Sequence, residues 1–392
     1  MPEAAWLRPE SGSRLQEPCN RTITIRGCGG QVPAGGTGDH PVELFVGNAG
    51  TAARFLTAFV ALGQGVYRLH GVPRMHERPQ ASLFDALRQL GYRVDSSTNR
   101  LPALVHGGGR RAGSCSVSVA ESSQFASALL LCGEVGGWQV QVTGENEEES
   151  PYVLMTARVL ETFPRLGGLF SIEPDASSGS YFWAAGSLEP QTSPEQSATN
   201  RQSRVDGQTS RPHVRVAQWP ISGLQIDERF PEVLAKIHGT GSPGERRISR
   251  RSDLGDSIMT AIVLAPLAKE PTEFTDLGRL RLQECERVLA LKTELAKCGA
   301  NLLETGDTLA VQPFERLHGA EIDTYQDHRM AMSFAILGLK VPGIKIKNPG
   351  CVKKTFPNFF QKLAAPPPQG LGVTIREVAS GRKVPLEGLF AE

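Results

Sequence analysis

The sequence predicts an α/β protein of two domains, built from repeated strand–helix units. Many segments share one pattern, in which a polar or glycine-bearing turn leads into an amphipathic helix that stops near a glycine. Short β-like runs separate these helices. The length of 392 residues corresponds to about two domains of ordinary size.

Apolar residues recur at a spacing near 3.6 within the helical segments, which places them on one face. We expect Pro79 to be a first helical residue, and Gly91 and Gly299 to follow helix ends. The clearest apolar faces are Leu83, Ala86, Leu87 and Leu90 in one helix, and Val288, Leu291, Leu295 and Cys298 in another. The turn-and-helix units cover residues 47–63, 78–91, 122–133, 175–186, 256–265, 283–299 and 327–338, and the strands cover 22–25, 116–119, 139–142, 302–303, 310–312 and 344–347.

The boundaries of the two lobes follow from where this periodicity starts and stops. Residues 1–20 are polar and breaker-rich, and we expect them to be disordered. The first lobe is predicted over residues 21–172 and the second over 173–363. A low-complexity insertion at 187–220 interrupts the second lobe, and residues 364–392 form a C-terminal tail.

Composition excludes several classes of protein. Lys and Arg number 42 against 41 Asp and Glu, so the net charge of +1 provides no basic field for nucleic acid. The seven cysteines form no metal-ligand spacing and favour a reduced, cytoplasmic protein. No apolar run is long enough for a membrane span, and the first residues lack a signal-peptide core. We expect no nucleic-acid or membrane partner.

Several helix starts combine polar caps with a cationic side chain. A helix N-terminus presents unpaired N–H groups and a positive dipole end, so it suits an anion. Arginine pairs bidentately with phosphate and carboxylate. If these cations converge, the ligand carries more than one anionic group; otherwise the polar residues are ordinary caps and the cations are solvated. The cations are Arg54, Arg78, Arg287, Arg329 and Lys354.

Eight motifs resemble those of the EPSP synthases, a branch of the enolpyruvyl transferases, in the family's order and at near-family spacing. They are LFVGNAGTAAR at 44–54, RMHERP at 74–79, SSQF at 122–125, DASS at 175–178, GDSIMT at 255–260, ECER at 284–287, DHRMAM at 327–332 and CVKKTFP at 351–357. The sister family, which acts on UDP-N-acetylglucosamine, lacks the Ser-Ser-Gln and Asp-His-Arg-Met-Ala-Met signatures. The acceptor implied by the resemblance is therefore shikimate 3-phosphate.

The resemblance implies a two-lobed fold, each lobe built from three βαβαββ units, with a cleft that closes on substrate. It also implies transfer of the enolpyruvyl group of phosphoenolpyruvate to the 5-hydroxyl of shikimate 3-phosphate, with release of phosphate. No metal and no organic cofactor are implied, and a monomer is expected.

The same resemblance assigns roles to individual residues. Asp256 is the base at the acceptor hydroxyl, and Glu284 is the proton donor to the methylene carbon. On the residues alone, Asp256 is equally a helix cap and Glu284 a partner of Arg287 only. The implied phosphoenolpyruvate-binding residues are Gly50, Arg78, Arg287, Arg329 and Lys354. The implied shikimate-3-phosphate-binding residues are Ser122, Ser123, Gln124, Tyr152, Asp256 and Gln283.

The sequence departs from the family pattern in three places. The Pro-Gly-Ser-Lys-Ser-x-x-x-Arg segment that opens the family is absent, so we expect the first lobe to be incomplete at its N-terminus. Gln283 stands where the family usually has lysine, and Ser150-Pro151-Tyr152 is one residue shorter than the family's Ser-x-Pro-Tyr. Three alternatives stay open: an active enzyme with cations supplied from elsewhere, a truncated or inactive relative, and a phosphometabolite-binding protein without turnover.

Overall fold

A computed structural model describes residues 31–144, 150–163, 172–188, 214, 216–239, 246–314 and 316–391. The predicted disordered residues 1–20 and the strand at 22–25 lie outside the described residues. No helix among the described residues is both long and apolar enough to cross a membrane.

The first part of the chain forms a four-stranded sheet, a two-stranded sheet and the helices that cover them. In the larger sheet β1 and β2 are parallel, β2 pairs antiparallel with β4, and β4 pairs antiparallel with β3. Strands β5 and β6 are parallel. The elements are β1 (Val42–Phe45), α1 (Gly50–Ala61), β2 (Gln64–His70), α2 (Pro73–Glu77), α3 (Ala81–Gln89), β3 (Arg93–Asp95), β4 (Ala103–Gly108), β5 (Gly113–Ser118), α4 (Ser123–Gly136), β6 (Trp138–Thr143) and α5 (Ser150–Thr162).

The second part repeats the same topology. Strand β7 is parallel to β8, β8 pairs antiparallel with β10, and β10 with β9. The elements are α6 (Ala176–Ser187), α7 (Phe230–His238), β7 (Arg247–Ser249), α8 (Ile258–Leu264), β8 (Thr272–Thr275), α9 (Arg287–Lys297), β9 (Leu302–Thr305), β10 (Thr308–Val311), β11 (Glu321–Ile322), α10 (His328–Leu337), β12 (Lys345–Ile346) and α11 (Phe359–Ala364). One-turn 3₁₀ segments connect several of them.

These two four-stranded sheets are each made by one βαβαββ unit, in strand orders β1-β2-β4-β3 and β7-β8-β10-β9. A parallel pair joined by a helix needs a crossover, while the antiparallel pair that follows needs only a short turn. The predicted strand–helix repeat is therefore confirmed. Two separate clusters of buried apolar side chains lie in the two parts of the chain, one between Val46 and Trp138 and the other between Tyr181 and Leu363.

The predicted helix faces are the ones that the structure buries. Leu83, Ala86 and Leu87 are fully buried, and so are the four residues predicted for the face of α9. Gly91 and Gly299 follow helix ends with φ angles of 83° and 88°, in the left-handed region where a side chain adds strain.

The prediction for Pro79 was wrong. Helix α3 begins at Ala81, and Gln80 before it is non-helical, with φ −142° and ψ −11°. Proline disfavours helical backbone in the residue before it, and Arg78 is extended. The Pro79 carbonyl accepts a hydrogen bond of 2.9 Å from Arg54 Nη2. A buried arginine therefore holds this proline in the loop.

Part of the predicted insertion packs into the second lobe. The Trp219 ring meets Trp183 edge-on at 5.8 Å, and its indole N–H donates to the Glu228 carbonyl at 2.9 Å. Residues 189–213 and 215 lie outside the described residues, so disorder there stays a prediction. The lobe boundaries also stay predictions.

The predicted C-terminal tail packs on the second lobe. Leu371, Val373 and Ile375 pack against the second-lobe core, and the backbone N–H groups of Leu371 and Val373 donate to carbonyls at the end of α11. The tail has no helical or strand period because it lies along the lobe in irregular backbone. Periodicity therefore could not reveal its packing.

Helix α9 allows a test of the core with its own control. We expect Leu291→Ala to lower the free energy of unfolding by about 2–5 kcal/mol, because Leu291 is fully buried in the second-lobe core. Leu289→Ala on the same helix removes a side chain that is 55% exposed and should cost about 0.5 kcal/mol or less. Chemical denaturation measures both; equal losses would contradict the packing described.

Candidate active site

The candidate site lies where the two lobes meet. Asn48 Nδ2 donates to the Glu284 carbonyl at 3.2 Å, and Arg74 Nε donates to the Gln283 carbonyl at 3.2 Å. Lys354 Nζ is 3.4 Å from the Asn48 carbonyl oxygen. These contacts place the start of α1 and helix α2 against the segment that leads into α9.

Gly50 opens α1, and the two nearest cations depend on its lack of a side chain. The N-cap residue, Ala49, has no polar group to occupy the first N–H groups of the helix. A Cβ on Gly50 would lie 2.5 Å from Arg54 Nη1 and 2.7 Å from Arg78 Nη2, so a larger residue would displace both guanidinium groups. The backbone here is open to close approach by an anion.

Arg54 and Arg78 are buried beside each other, and neither forms an ion pair with a carboxylate among the described residues. Burial, and then the neighbouring Arg78, lowers the pKa of Arg54 to about 9; burial also lowers the pKa of Arg78. Within the described part of the chain, Arg54 Nε and Nη1 and Arg78 Nε have no hydrogen-bond partner. Buried donors without partners are costly. The pair is therefore suited to receive an anion.

Arg287, at the start of α9, is the most connected cation of the site. Its side chain is 1% exposed, and Nε lies 2.7 Å from Asp327 Oδ2 and Nη2 2.8 Å from Glu284 Oε2. Nη1 is 3.6 Å from Asp256 Oδ1. Burial alone would lower the pKa of Arg287, but these carboxylates hold it well above its usual value. Asp327 also caps α10 by accepting from the Arg329 N–H at 2.9 Å.

Asp256 does not cap a helix, which decides between the two interpretations of the sequence. The N-cap of α8 is Ser257, and the Asp256 carboxylate instead faces Arg329 Nε at 3.2 Å and Gln283 Nε2 at 3.2 Å. Burial by itself raises the pKa of Asp256, but the guanidinium groups of Arg329, Arg287 and Arg250 outweigh it and hold the pKa well below its usual range. Asp256 is therefore ionised.

Glu284 is shared between two cations rather than paired with Arg287 alone. Its second oxygen contacts Lys354 Nζ. Burial raises the pKa of Glu284, while Arg287, Lys354 and Arg78 together lower it far more. The two candidate acid–base residues thus lie in one cluster, each held ionised by cations.

The residues predicted to bind shikimate 3-phosphate come from three places in the chain. Ser122 caps α4 by accepting from the Gln124 N–H at 3.3 Å, and Gln124 Nε2 donates to Thr51 Oγ1 at 3.2 Å beside the start of α1. Tyr152, on α5, points its hydroxyl at the second lobe, since a Cβ on Gly255 would lie 2.8 Å from Tyr152 Oη. Ser123 is buried in the first turn of α4.

Some residues of the site were not singled out by the sequence analysis. Arg54 was a candidate cation only, and Arg74 was noted only as part of the motif at 74–79, while Arg250 and Asp227 carried no signal. Asp227 is 4% exposed and accepts from the Gly255 N–H at 2.7 Å and from Ser257 Oγ at 2.5 Å, which fixes the backbone around Asp256. A carboxylate that accepts hydrogen bonds from the backbone of a distant segment produces no periodic pattern in the sequence.

No cluster of three or more His, Cys, Asp or Glu side chains within the described ranges is arranged to hold a metal ion. The expectation of a reaction without metal or organic cofactor stays a prediction.

The fold is that of the enolpyruvyl transferases. It aligns with the solved structure of EPSP synthase from Acinetobacter baumannii at a TM-score of 0.51, over 84% of this chain and 79% of that one, with 19% sequence identity. The two βαβαββ sheets agree with the fold that the family resemblance implied.

The sequence comparisons define the family. The family model of EPSP synthase (3-phosphoshikimate 1-carboxyvinyltransferase) matches residues 14–363. The 3-phosphoshikimate 1-carboxyvinyltransferase of Laribacter hongkongensis is 37% identical over 90% of this chain and 85% of its own length. The chloroplastic enzyme of Solanum lycopersicum is 36% identical over 88% of this chain and 71% of its own. The chain belongs to the EPSP synthase family, which confirms the resemblance.

His328, beside the Arg287–Asp327 pair, predicts how stability depends on pH. Burial and then the nearby Arg329 lower the pKa of His328 from 6.5 to about 3. Below pH 6.5 the unfolded chain binds a proton that the folded protein does not, so stability falls as the pH falls. Between pH 6.5 and about 4.5 this amounts to at most about 2–3 kcal/mol.

We expect His328→Gln to flatten the pH dependence of the free energy of unfolding over that interval, measured by denaturant titration at several pH values. The exposed His40→Gln is the matched control. A slope unchanged by His328→Gln would contradict a neutral, buried His328.

Proposed function

We propose that this chain transfers the enolpyruvyl group of phosphoenolpyruvate to the 5-hydroxyl of shikimate 3-phosphate and releases phosphate. One observation carries the proposal: cations from both lobes gather around the start of α1, beside two ionised carboxylates. Phosphoenolpyruvate carries a phosphate and a carboxylate, which together need more than one cationic partner. A cytoplasmic monomer is the form we expect.

The phosphoenolpyruvate site that we propose uses Gly50, Arg78, Arg287, Arg329 and Lys354. Charge balance supports this assignment, because Asp256 and Glu284 form ion pairs with several of these cations but do not neutralise all of their charge. Phosphoenolpyruvate would pair with the cations in place of the two carboxylates. The same cations would stabilise the negative charge of the tetrahedral intermediate.

For shikimate 3-phosphate we propose Ser122, Ser123, Gln124, Tyr152 and Gln283. The hydroxyl and amide groups at the start of α4 are suited to the 3-phosphate, since they lie at a helix N-terminus. The Tyr152 hydroxyl lies beside Gly255, the residue before Asp256, and the Gln283 amide donates to Asp256 itself. That arrangement would hold the acceptor hydroxyl near the base.

The acid–base steps follow from the environments of the two carboxylates. Asp256 takes the proton of the 5-hydroxyl as its oxygen attacks the central carbon of phosphoenolpyruvate, and the methylene carbon receives a proton from Glu284. Phosphate then leaves with the proton that Asp256 took from the hydroxyl, and Glu284 takes a proton back from the new methyl group, which restores the double bond.

Glu284 must carry a proton to act as the acid, although its cations keep it ionised in this structure. When phosphoenolpyruvate pairs with Arg78, Arg287 and Lys354, their effect on Glu284 is neutralised and burial raises its pKa. Substrate binding would therefore prepare the acid.

A phosphate-release assay with both substrates tests the proposal, and the base assignment adds a prediction. We expect Asp256→Asn to lower kcat by a factor of about 10²–10⁴, because an amide cannot accept the hydroxyl proton, while the far-ultraviolet circular dichroism is unchanged. The exposed Asp39→Asn is the control. Full activity in Asp256→Asn would remove the base assignment. If wild type binds shikimate 3-phosphate but releases no phosphate, the chain is a binding protein.

Lys354 should discriminate between the two substrates. Its ammonium group lies beside Glu284 and the Asn48 carbonyl at the start of α1, so we expect Lys354→Ala to raise the KM for phosphoenolpyruvate about tenfold or more. The KM for shikimate 3-phosphate should change less than about threefold. Lys353→Ala, the exposed neighbour, is the control. Equal changes in both KM values would count against the assignment.

A further inference from the structure

The base Asp256 has an unusual neighbour at position 283. The family resemblance implies a lysine there, and this chain has glutamine. Gln283 Nε2 donates to Asp256 Oδ1 at 3.2 Å, and its Oε1 accepts from Arg287. The amide therefore keeps the hydrogen bond to Asp256 but brings no charge.

The structure brings a different cation to the same carboxylate oxygen. Arg250 Nη2 lies 3.4 Å from Asp256 Oδ1. The Arg250 side chain is 6% exposed and that of Asp256 is 23% exposed, so the guanidinium group is buried while the carboxylate can still be reached. Arg250 comes from the loop after β7, far in sequence from the segment that carries Gln283.

The loop that carries Arg250 is held in place by hydrogen bonds at both ends. The Arg250 N–H donates to the Thr275 carbonyl on β8 at 3.0 Å. The Ser249 N–H donates to Asp253 Oδ2 at 2.8 Å, and Ser249 Oγ donates to Asp276 Oδ2 at 2.5 Å. A guanidinium group on a fixed loop loses little side-chain freedom when it pairs, which is what a positioning group requires.

In the proposed reaction Arg250 has a different role from the other cations around Asp256. Arg287 and Arg329 are assigned to phosphoenolpyruvate, so the anionic groups of that ligand would offset their charge when it binds. The buried carboxylate Asp227 also faces Asp256 and favours its protonation. Without a dedicated cation, Asp256 would lose its ionising partners at the moment when it must accept a proton.

We propose that Arg250 is a positioning residue for Asp256, supplying the positive charge that glutamine at position 283 does not. Its guanidinium group keeps Asp256 ionised and orients Oδ1 toward the acceptor hydroxyl while the other two arginines hold phosphoenolpyruvate. This inference rests on the proposed function and assigns to it a residue from outside the family motifs.

Four variants of the full chain test the role of the charge. Arg250→Met and Arg250→Gln should each lower kcat about tenfold or more, with the KM for phosphoenolpyruvate within about threefold of wild type. Arg250→Lys should retain most of the activity, and Gln283→Lys added to Arg250→Met should restore it. Arg251→Met, the exposed neighbour, is the matched control and should behave as wild type.

The pH profile separates positioning from a structural role. The groups that face Asp256 are Arg250, Gln283, Arg287, Arg329 and Asp227. Only Arg250 is changed in the two single variants Arg250→Met and Arg250→Gln. Removing this cation raises the pKa of Asp256, so the acidic limb of the kcat/KM profile should move to higher pH by about one unit. A purely structural loss lowers kcat/KM at all pH values without moving the limb, and that result would overturn the proposal.

Binding to the acceptor alone provides a second test, independent of turnover. Arg250→Met should weaken the affinity for shikimate 3-phosphate about tenfold, but the affinity for its 5-deoxy analogue less than about twofold, because the analogue lacks the hydroxyl that Asp256 receives. Equal weakening for both ligands, or none, overturns the role of Arg250. If folded wild type binds neither ligand, the proposed function itself fails, and this inference with it.

Discussion

The site is organised by the repulsion among its own cations. Arg54, Arg78, Arg287 and Arg329 are brought close together with little water around them, and like charges in such an environment are costly. Three carboxylates, those of Asp256, Glu284 and Asp327, reduce this cost in the second lobe. The pair from the first lobe has no carboxylate of its own, so it retains the strongest demand for an anion.

The backbone of the repeated units brings these charges to one place. In each βαβαββ unit the helices begin at the same edge of the sheet, and short caps orient their first turns. Asp327 caps α10 and also binds Arg287, so one carboxylate fixes both a helix start and a cation. Gly50 leaves room for two guanidinium groups at the start of α1. Secondary structure and electrostatics are therefore specified by the same few residues.

The sequence predicted the repeat and much of the site, but not all of either. Helix faces such as that of α9 follow from a period of 3.6, and the motif residues carry the cations. Asp227 could not be found, because it acts through contact with a segment distant in the chain. Arg250 could not be found, because the irregular loop that brings it to Asp256 has no periodic pattern. The packing of the tail could not be predicted, because irregular backbone packs without a period. Pro79 was misplaced because the hydrogen bond from Arg54 to its carbonyl, which holds it in the loop, is also a long-range contact.

The cluster of charges around Asp256 also explains how this chain accommodates a glutamine at position 283, next to Glu284. The charge around Asp256 is a property of the cluster, since Arg287 and Arg329 already lie near its oxygens. Losing a lysine at position 283 removes one cation, and Arg250 brings one from another loop. Coulomb interactions depend on the distance between charges and not on which segment supplies them. A site of this kind can exchange the origin of a charge during evolution while the geometry around the reacting carboxylate is kept.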